Sequence, residues 1–291
     1  MKLIKDLTVN GKIQPPKWLP DNILFAGITG SYAYGVSDDT SDKDIYGIVI
    51  PPVNTIFPHL AGEIQGFSTP KNRFDQWQQH HIKHNDEEYD LTFFNIVKFF
   101  QLAMHNNPNI LDLLFLPQHC IIHSTMTWKK ITDNKNKFLH KGLYQKFIGY
   151  SFSQKNKIKT QSNKSNEKRK KSYELYGYDT KFAFHCMRLL MEAEQLLNTG
   201  NLDLTKDKEI LKSIRRGEWS IDQIDNFFEK KESHLQTLYE NSKLPHSPNE
   251  DIIRDLLMEC IEDHYGKVSM KVNMDSNLLD DIEDVLRKYK G

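Results

Sequence analysis

The hydrophobic pattern of this chain is strand-like as far as residue 94 and helical after it. Residues 23–28 form a short apolar run of the kind that makes a buried strand. A second run, Ile45-Tyr46-Gly47-Ile48-Val49-Ile50, is entered through Asp42-Lys43-Asp44 and closed by Pro51-Pro52, because proline cannot donate to a strand ladder. Trp77–His84 and Glu88–Phe93 read as a hairpin turned at Asn85-Asp86. On its second strand Glu88, Asp90 and Thr92 share one face, while Tyr89, Leu91 and Phe93 share the other. Residues 1–22 read as an irregular arm, interrupted by Pro15-Pro16 and Pro20. Residues 53–74 read as loop with one short helix, and Pro117–Ile122 as a further strand.

Helical spacing begins at Asn95, with Ile96, Val97, Phe99, Phe100, Leu102, Ala103 and Met104 apolar, and ends before Pro108. Helices follow at about 125–140, 142–160, 180–198, 206–216, 220–242, 248–265 and 276–289. Ser247-Pro248-Asn249-Glu250 and Ser220-Ile221-Asp222-Gln223 both carry capping-box residues, and Gly200 is placed to close the 180–198 helix. The expected division is an arm (1–22), a strand-containing domain (23–125) and a helical domain (126–291).

Composition narrows the partners. Lys plus Arg and Asp plus Glu number 39 each, so only local clusters argue for a polyanion. Cys120, Cys186 and Cys260 are scattered and lack ligand spacing, and they read as buried thiols of a reducing compartment. The first 22 residues lack the apolar run of a signal peptide, and no stretch approaches the roughly 18–20 apolar residues of a membrane span. A cytoplasmic protein with no membrane partner is expected.

The candidate chemistry lies in residues 27–50. Asp42 and Asp44 point the same way on a strand, roughly 7 Å apart. Two such carboxylates repel unless a cation lies between them, and hard oxygen ligands suit Mg²⁺ or Mn²⁺. Gly30 permits close backbone approach, and Ser31, expected to start a short helix, offers N–H groups and a hydroxyl to a phosphate. Taken singly these are an acidic loop and a common turn. Together, in this order and between two strands, they form a site for a nucleoside triphosphate.

Gly30-Ser31, ten residues, then Asp42-x-Asp44 resembles the signature of the DNA polymerase β-type nucleotidyltransferase superfamily. The fuller pattern, Gly30-Ser31-x-Ala33-Tyr34-Gly35 followed by Ser41-Asp42-x-Asp44-x-x-Gly47, resembles the RlaP family of nucleotidyltransferases. Asn107-Pro108-Asn109-Ile110-Leu111-Asp112 and Gly177-Tyr178-Asp179-x-Lys181-x-x-x-His185-x-x-Arg188 are also similar to RlaP, so the resemblance spans roughly residues 24–265. It implies an α/β (α+β) nucleotidyltransferase domain with a mixed sheet, followed by an all-helical C-terminal domain. It also implies two Mg²⁺ or Mn²⁺ ions and a third metal carboxylate on a later strand, for which Asp90 is the candidate and Glu88 the alternative. His80, His81 and His84 read as exposed strand residues rather than ligands.

Two basic elements remain. Lys181, His185 and Arg188 recur at i, i+4 and i+7 behind a cap at Asp179 or Thr180. Such a stripe suits a triphosphate or the leaving pyrophosphate, or equally a solvated face paired with Glu192 and Glu194. Residues 154–171 carry eight Lys or Arg and one acid, with no aromatic, and read as a flexible loop. Its Lys168, Arg169, Lys170 and Lys171 are candidates for contact with a nucleic-acid backbone. The expected activity is transfer of a nucleoside monophosphate from an NTP to an acceptor hydroxyl. The RlaP association with RNA ligases and the basic segment favour an RNA 3′ end. A small molecule, a protein side chain and a non-catalytic nucleotide-sensing module are the alternatives.

Overall fold

The computed structural model describes residues 1–37, 41–56, 74–159 and 167–266. The expected helix at 276–289, most of the 53–74 segment and the middle of the basic segment lie outside the described residues.

The chain opens with helix α1 (Lys2–Val9), whose Ile4 and Leu7 are fully buried. The arm is therefore not irregular throughout. Its prolines lie beyond the helix, so a short amphipathic turn with one apolar face is free to form ahead of them. Strands β1 (Ile23–Ile28), β2 (Lys43–Val49), β3 (Gln76–His84), β4 (Glu87–Asn95) and β5 (Ile121–Ser124) make one sheet in the order β3-β4-β2-β1-β5. β2 and β4 are parallel and the other pairs antiparallel, so the sheet is mixed as expected. A four-residue helix, α2 (Val53–Ile56), follows β2. The β3–β4 hairpin turns at Asn85 (φ 51°) and Asp86 (φ 60°), both left-handed, the geometry that matches strand twist in a two-residue turn.

The two sheet faces bury different things. Ile45, Leu91 and Phe93 face the arm, packing with Ile4, Leu7, Ile13 and Leu19. Ile48 and Phe94 face the other way, into a core that begins with helix α3 (Ile96–Met104) and helix α4 (Pro108–Leu114). That core continues without a break through Trp128 of α5 (Met126–Asp133) and Phe147 of α6 (Leu143–Ile158) to α8 (Thr180–Thr199). Helices α7 (Glu167–Tyr176), α9 (Lys208–Arg215), α10 (Ile221–Asn241) and α11 (Glu250–Tyr265) complete the helical part, with α11 packed on α3 and α5.

Several caps form as the sequence suggests. Asp179 accepts from the amides of Lys181 and Phe182, Ser220 and Gln223 form the capping box, and Gly200 closes α8 at φ 65°. Two expectations need correction. α11 starts at Glu250 with Asn249 as its cap, accepting from Ile252 N at 3.1 Å, because Asn249 caps as well as Ser247 and lies nearer the apolar face. Residues 167–176 form α7 rather than loop, so Lys168, Arg169, Lys170 and Lys171 are helical. Among the described residues all three cysteines are free and buried, and no helix is long and apolar enough to cross a membrane.

Candidate active site

The site is assembled where β1 ends and β2 begins. β1 delivers Thr29, whose amide and hydroxyl both donate to the Asp44 carbonyl, at 2.7 and 3.1 Å. The chain then turns sharply, with Tyr34 N on Gly30 O (3.2 Å), Gly35 N on Tyr32 O (3.1 Å) and Val36 N on Ser31 O (2.9 Å). Ser31 therefore stands in a compact turn, not at a helix start. Gly30 has φ 63°, and a Cβ there would come within 2.4 Å of Asp44 Oδ2. Only glycine fits, for conformation and for space. The phosphate-cradle candidate and the first carboxylate are thus in direct contact.

In the parallel register Asp44 lies directly opposite Asp90. Residues paired this way point to the same side, so both carboxylates stand on the face that carries Tyr46, Thr92 and the helical core. Burial and then the neighbouring Asp90 charge raise the Asp44 pKa above the ordinary aspartate value, with Lys181 acting in the opposite sense. The Lys181 ammonium on α8 is therefore within electrostatic reach of Asp44. Lys181 itself is exposed.

Asp90 is engaged in a way the sequence does not show. β3 bulges between Gln79 and Ile82, with His81 at φ 56°. The bulge turns the His81 amide onto Asp90 Oδ1 at 2.7 Å and brings His80 Nδ1 to 3.3 Å from Asp90 Oδ2. Glu88, the alternative third carboxylate, is instead held 2.6 Å from His81 Nδ1. Asp42 is exposed just before β2. Among the described residues no three acids, histidines or cysteines stand together as a group that could hold a metal ion. Asp44 and Asp90 are brought together, while Asp42 remains at the rim. The donor set still fits a hard cation: two adjacent carboxylates on one face, one of them partly desolvated.

The helix stripe divides by depth. Lys181 is exposed. His185, a turn further in, has its pKa pushed well below the usual histidine value, by burial first and then by Arg188, Lys181, Arg215 and Arg169. It is a neutral imidazole at pH 7, not a third cation. Arg188 is only 4 % exposed, and its Nη1 donates to Tyr34 Oη (2.7 Å), Asp112 Oδ2 (3.0 Å) and both Glu192 carboxylate oxygens (2.9 and 3.0 Å). Arg188 is thus a buried structural cation, contrary to the expectation that it binds phosphate. Seven residues of helix rise, about 10 Å, carry the same stripe from the surface into the core.

Arg215 is missed by sequence reading. It lies over the Phe184 ring at 5.6 Å and acts on His185 beside Arg169. Its α9 is charged on most of its surface, and nothing local distinguishes this arginine from Arg216, which pairs with Glu218 at 2.5 Å. Of the four cations on α7, Arg169 stacks over Phe182 at 4.3 Å and approaches Asp179 at 3.9 Å. Lys170 lies 3.8 Å from Glu174 on the exposed surface, and Lys171 is exposed. The side chain of Lys168 lies outside the described residues.

Comparison with known proteins bears on the whole arrangement. A protein of Enterobacteria phage T4, described as an uncharacterized 38.9 kDa protein in the nrdC-mobD intergenic region, is 28 % identical over 130 residues, which is 44 % of this chain and 36 % of that relative's length. The chain therefore spans about a third of the curated relative it resembles. A nucleotidyltransferase-like protein from Exiguobacterium sibiricum is similar over 89 % of this chain and 78 % of its own, at 11 % identity and a TM-score of 0.30, a likeness too loose to carry an argument. The profile of RlaP, the RNA repair pathway DNA polymerase beta family, matches residues 8–281, from α1 past the end of α11. The chain belongs to RlaP, a nucleotidyltransferase-like family.

Proposed function

We propose that the chain is a metal-dependent nucleotidyltransferase, moving a nucleoside monophosphate from an NTP to an acceptor hydroxyl and releasing pyrophosphate. One observation carries this reading. Asp44 and Asp90 stand side by side, with the Gly30 backbone pressed against Asp44 and Lys181 within electrostatic reach.

Asp44 and Asp90, joined by Asp42 from the rim, are the residues that would hold Mg²⁺ or Mn²⁺, two ions in the family's manner. Such ions, when bound, neutralise phosphate charge and make a hydroxyl more acidic. The chain's own groups do the rest. The Gly30-Ser31 turn offers backbone N–H groups and the Ser31 hydroxyl to phosphate oxygens beside the Asp44 carboxylate, where Gly30 itself carries no side chain. Lys181 offsets negative charge as the triphosphate enters. The neutral His185 ring, one turn below, supplies a hydrogen bond rather than a charge.

An RNA 3′ end is the favoured acceptor. The family's description places it in RNA repair, and α7 carries exposed Lys170 and Lys171. The test is label transfer from each NTP, with Mg²⁺ or Mn²⁺, to RNA bearing a free 3′ hydroxyl, to small alcohols and amino-sugars, and to the protein itself. Label on RNA, with a salt slope flattened by about 1.4 in Lys170→Gln/Lys171→Gln (about 0.7 per lost contact), supports the reading. Label on small molecules alone moves the acceptor to that class. No transfer, with NTP still raising the melting temperature, leaves a nucleotide-sensing module.

A further inference from the structure

The turn that carries Gly30 and Ser31 is anchored at its far end. Tyr34, buried to 5 % exposure, sends its ring into the core and its hydroxyl to Asp112 Oδ2 at 2.5 Å. Asp112 comes from α4 and is itself 3 % exposed. Arg188 of α8 closes the set, donating to the Tyr34 hydroxyl and to Asp112, with its guanidinium 4.7 Å from the Tyr34 ring centroid. Asn109 Oδ1 accepts a longer contact from Arg188 Nη2 at 3.4 Å. Three elements distant in sequence therefore meet at one oxygen-rich point: the candidate phosphate turn, the helix after the sheet, and the helix that bears Lys181 seven residues earlier.

Such a set is costly to bury, because polar groups leave water and each needs partners. Asp112 Oδ1 and Arg188 Nε remain buried without a hydrogen-bond partner. For stability alone, an apolar junction would serve as well or better. What the charged junction adds is direction. Hydrogen bonds to a guanidinium accept one geometry, whereas apolar contacts slide.

We propose that Tyr34, Asp112 and Arg188 form a clamp that fixes the Gly30–Ser31 turn in register with the Lys181 end of α8. Arg188 is then a positioning residue for nucleotide use, acting through Tyr34 and not by touching phosphate. This inference rests on the nucleotidyltransferase reading for its functional half only. Its structural half, the immobilisation of the turn, is testable whatever the activity proves to be.

Tyr34→Phe removes one hydroxyl, keeps the ring and leaves Asp112 bonded to Arg188, so the fold should survive. Glu192→Gln is the control, because it alters Arg188's other partner and leaves the link to Tyr34 in place. Amide hydrogen exchange of residues 30–36 is measured on the full chain, with NTP affinity followed by thermal shift using ATP and Mn²⁺. The clamp predicts exchange at 30–36 at least tenfold faster in Tyr34→Phe, with α8 and α10 protected as in the parent. Nucleotide affinity should fall severalfold in the same variant, and Glu192→Gln should match the parent in both. Where transfer is measurable, KM for NTP should rise more than kcat falls. If Tyr34→Phe proves unstable, Asp112→Asn takes its place with the same expected readouts. Parent-like exchange at 30–36 in the variant overturns the clamp, and so does equal loosening by Glu192→Gln, which would make the cluster a general stabiliser. A parent that binds no nucleotide, yet shows the exchange difference, refutes the nucleotidyltransferase reading and leaves the clamp standing.

Discussion

Two acidic pairs stand in this molecule, and they are provisioned in opposite ways. Asp112 and Glu192 are almost fully buried, but Arg188 lies between them with hydrogen bonds to both. Burial raises both carboxyls above their usual values, Glu192 further, against the pull of that arginine. Burial works against the Arg188 charge too, yet Glu192, Tyr34 and Asp112 hold the guanidinium protonated. Asp44 and Asp90 are adjacent as well, but no arginine stands between them: Asp90 has the His81 amide and the His80 ring, and Asp44 feels the charge of Lys181. A protein that can place an arginine between two carboxylates has done so in one location and left the other open. The first pair is completed by the chain; under the proposed function the second is completed by bound metal.

The largest effect expected from this contrast is on stability. Arg188→Met leaves Asp112 and Glu192 facing each other in the core and should cost about 3–5 kcal/mol, the usual loss when one partner of a buried ion set is removed. Urea unfolding measures it. A loss under about 1 kcal/mol, the value of an exposed pair, would put the cluster in water.

Asp44→Asn should behave in the reverse manner. Transfer should fall by about 10²–10³-fold or more, as for loss of a group acting on developing charge, while the melting temperature stays level or rises. The sign follows from linkage. The folded Asp44 pKa lies above the unfolded one, so the native state holds the proton more tightly. Stability from this group is therefore present at low pH and lost as pH rises past the ordinary aspartate range. Neutral asparagine removes that cost. A destabilised Asp44→Asn would equate the two pairs.

Lys181→Gln should raise KM for NTP about tenfold, near 1.4 kcal/mol, with little change in melting temperature because the side chain is exposed. The effect should not depend on the acceptor. A parent-like KM would detach α8 from the nucleotide.

The smallest effect concerns His185. Its folded pKa is depressed, so the unfolded chain binds the proton more readily, and stability should fall as pH drops below about 6.5. Arg188, Lys181, Arg215 and Arg169 face this ring, and each disfavours its protonation. His185→Gln should flatten the stability profile between pH 6.5 and the folded pKa. An unchanged profile assigns the slope to another group.

What the sequence shows here is governed by range. The hairpin is legible because Asn85-Asp86 imposes its turn locally, and alternation gives the faces within each strand. Asp90 as neighbour of Asp44 rests on the family resemblance, since only the β2–β4 register puts the two opposite each other. The caps at Asp179 and Ser220 are legible for the same reason. Arg188 is not, because its partner Asp112 lies 76 residues away, and helical spacing gives a residue's direction without its depth. The bulge at His81 is equally hidden, since a register shift in β3 shows only once β4 is beside it. α1 and α7 escape for a composition reason: prolines near the first and lysines throughout the second suggest loop, while helix formation tolerates both arrangements.

Asp44 and Asp90 are proposed to form an open metal and nucleotide site. Mn²⁺ binding, followed by electron paramagnetic resonance with and without a non-hydrolysable NTP, tests it most directly. Mn²⁺ should bind the parent, bind more tightly with the nucleotide present, and be lost in Asp44→Asn and Asp90→Asn while both variants remain folded. Equal Mn²⁺ and nucleotide binding by the parent and the two variants would contradict it.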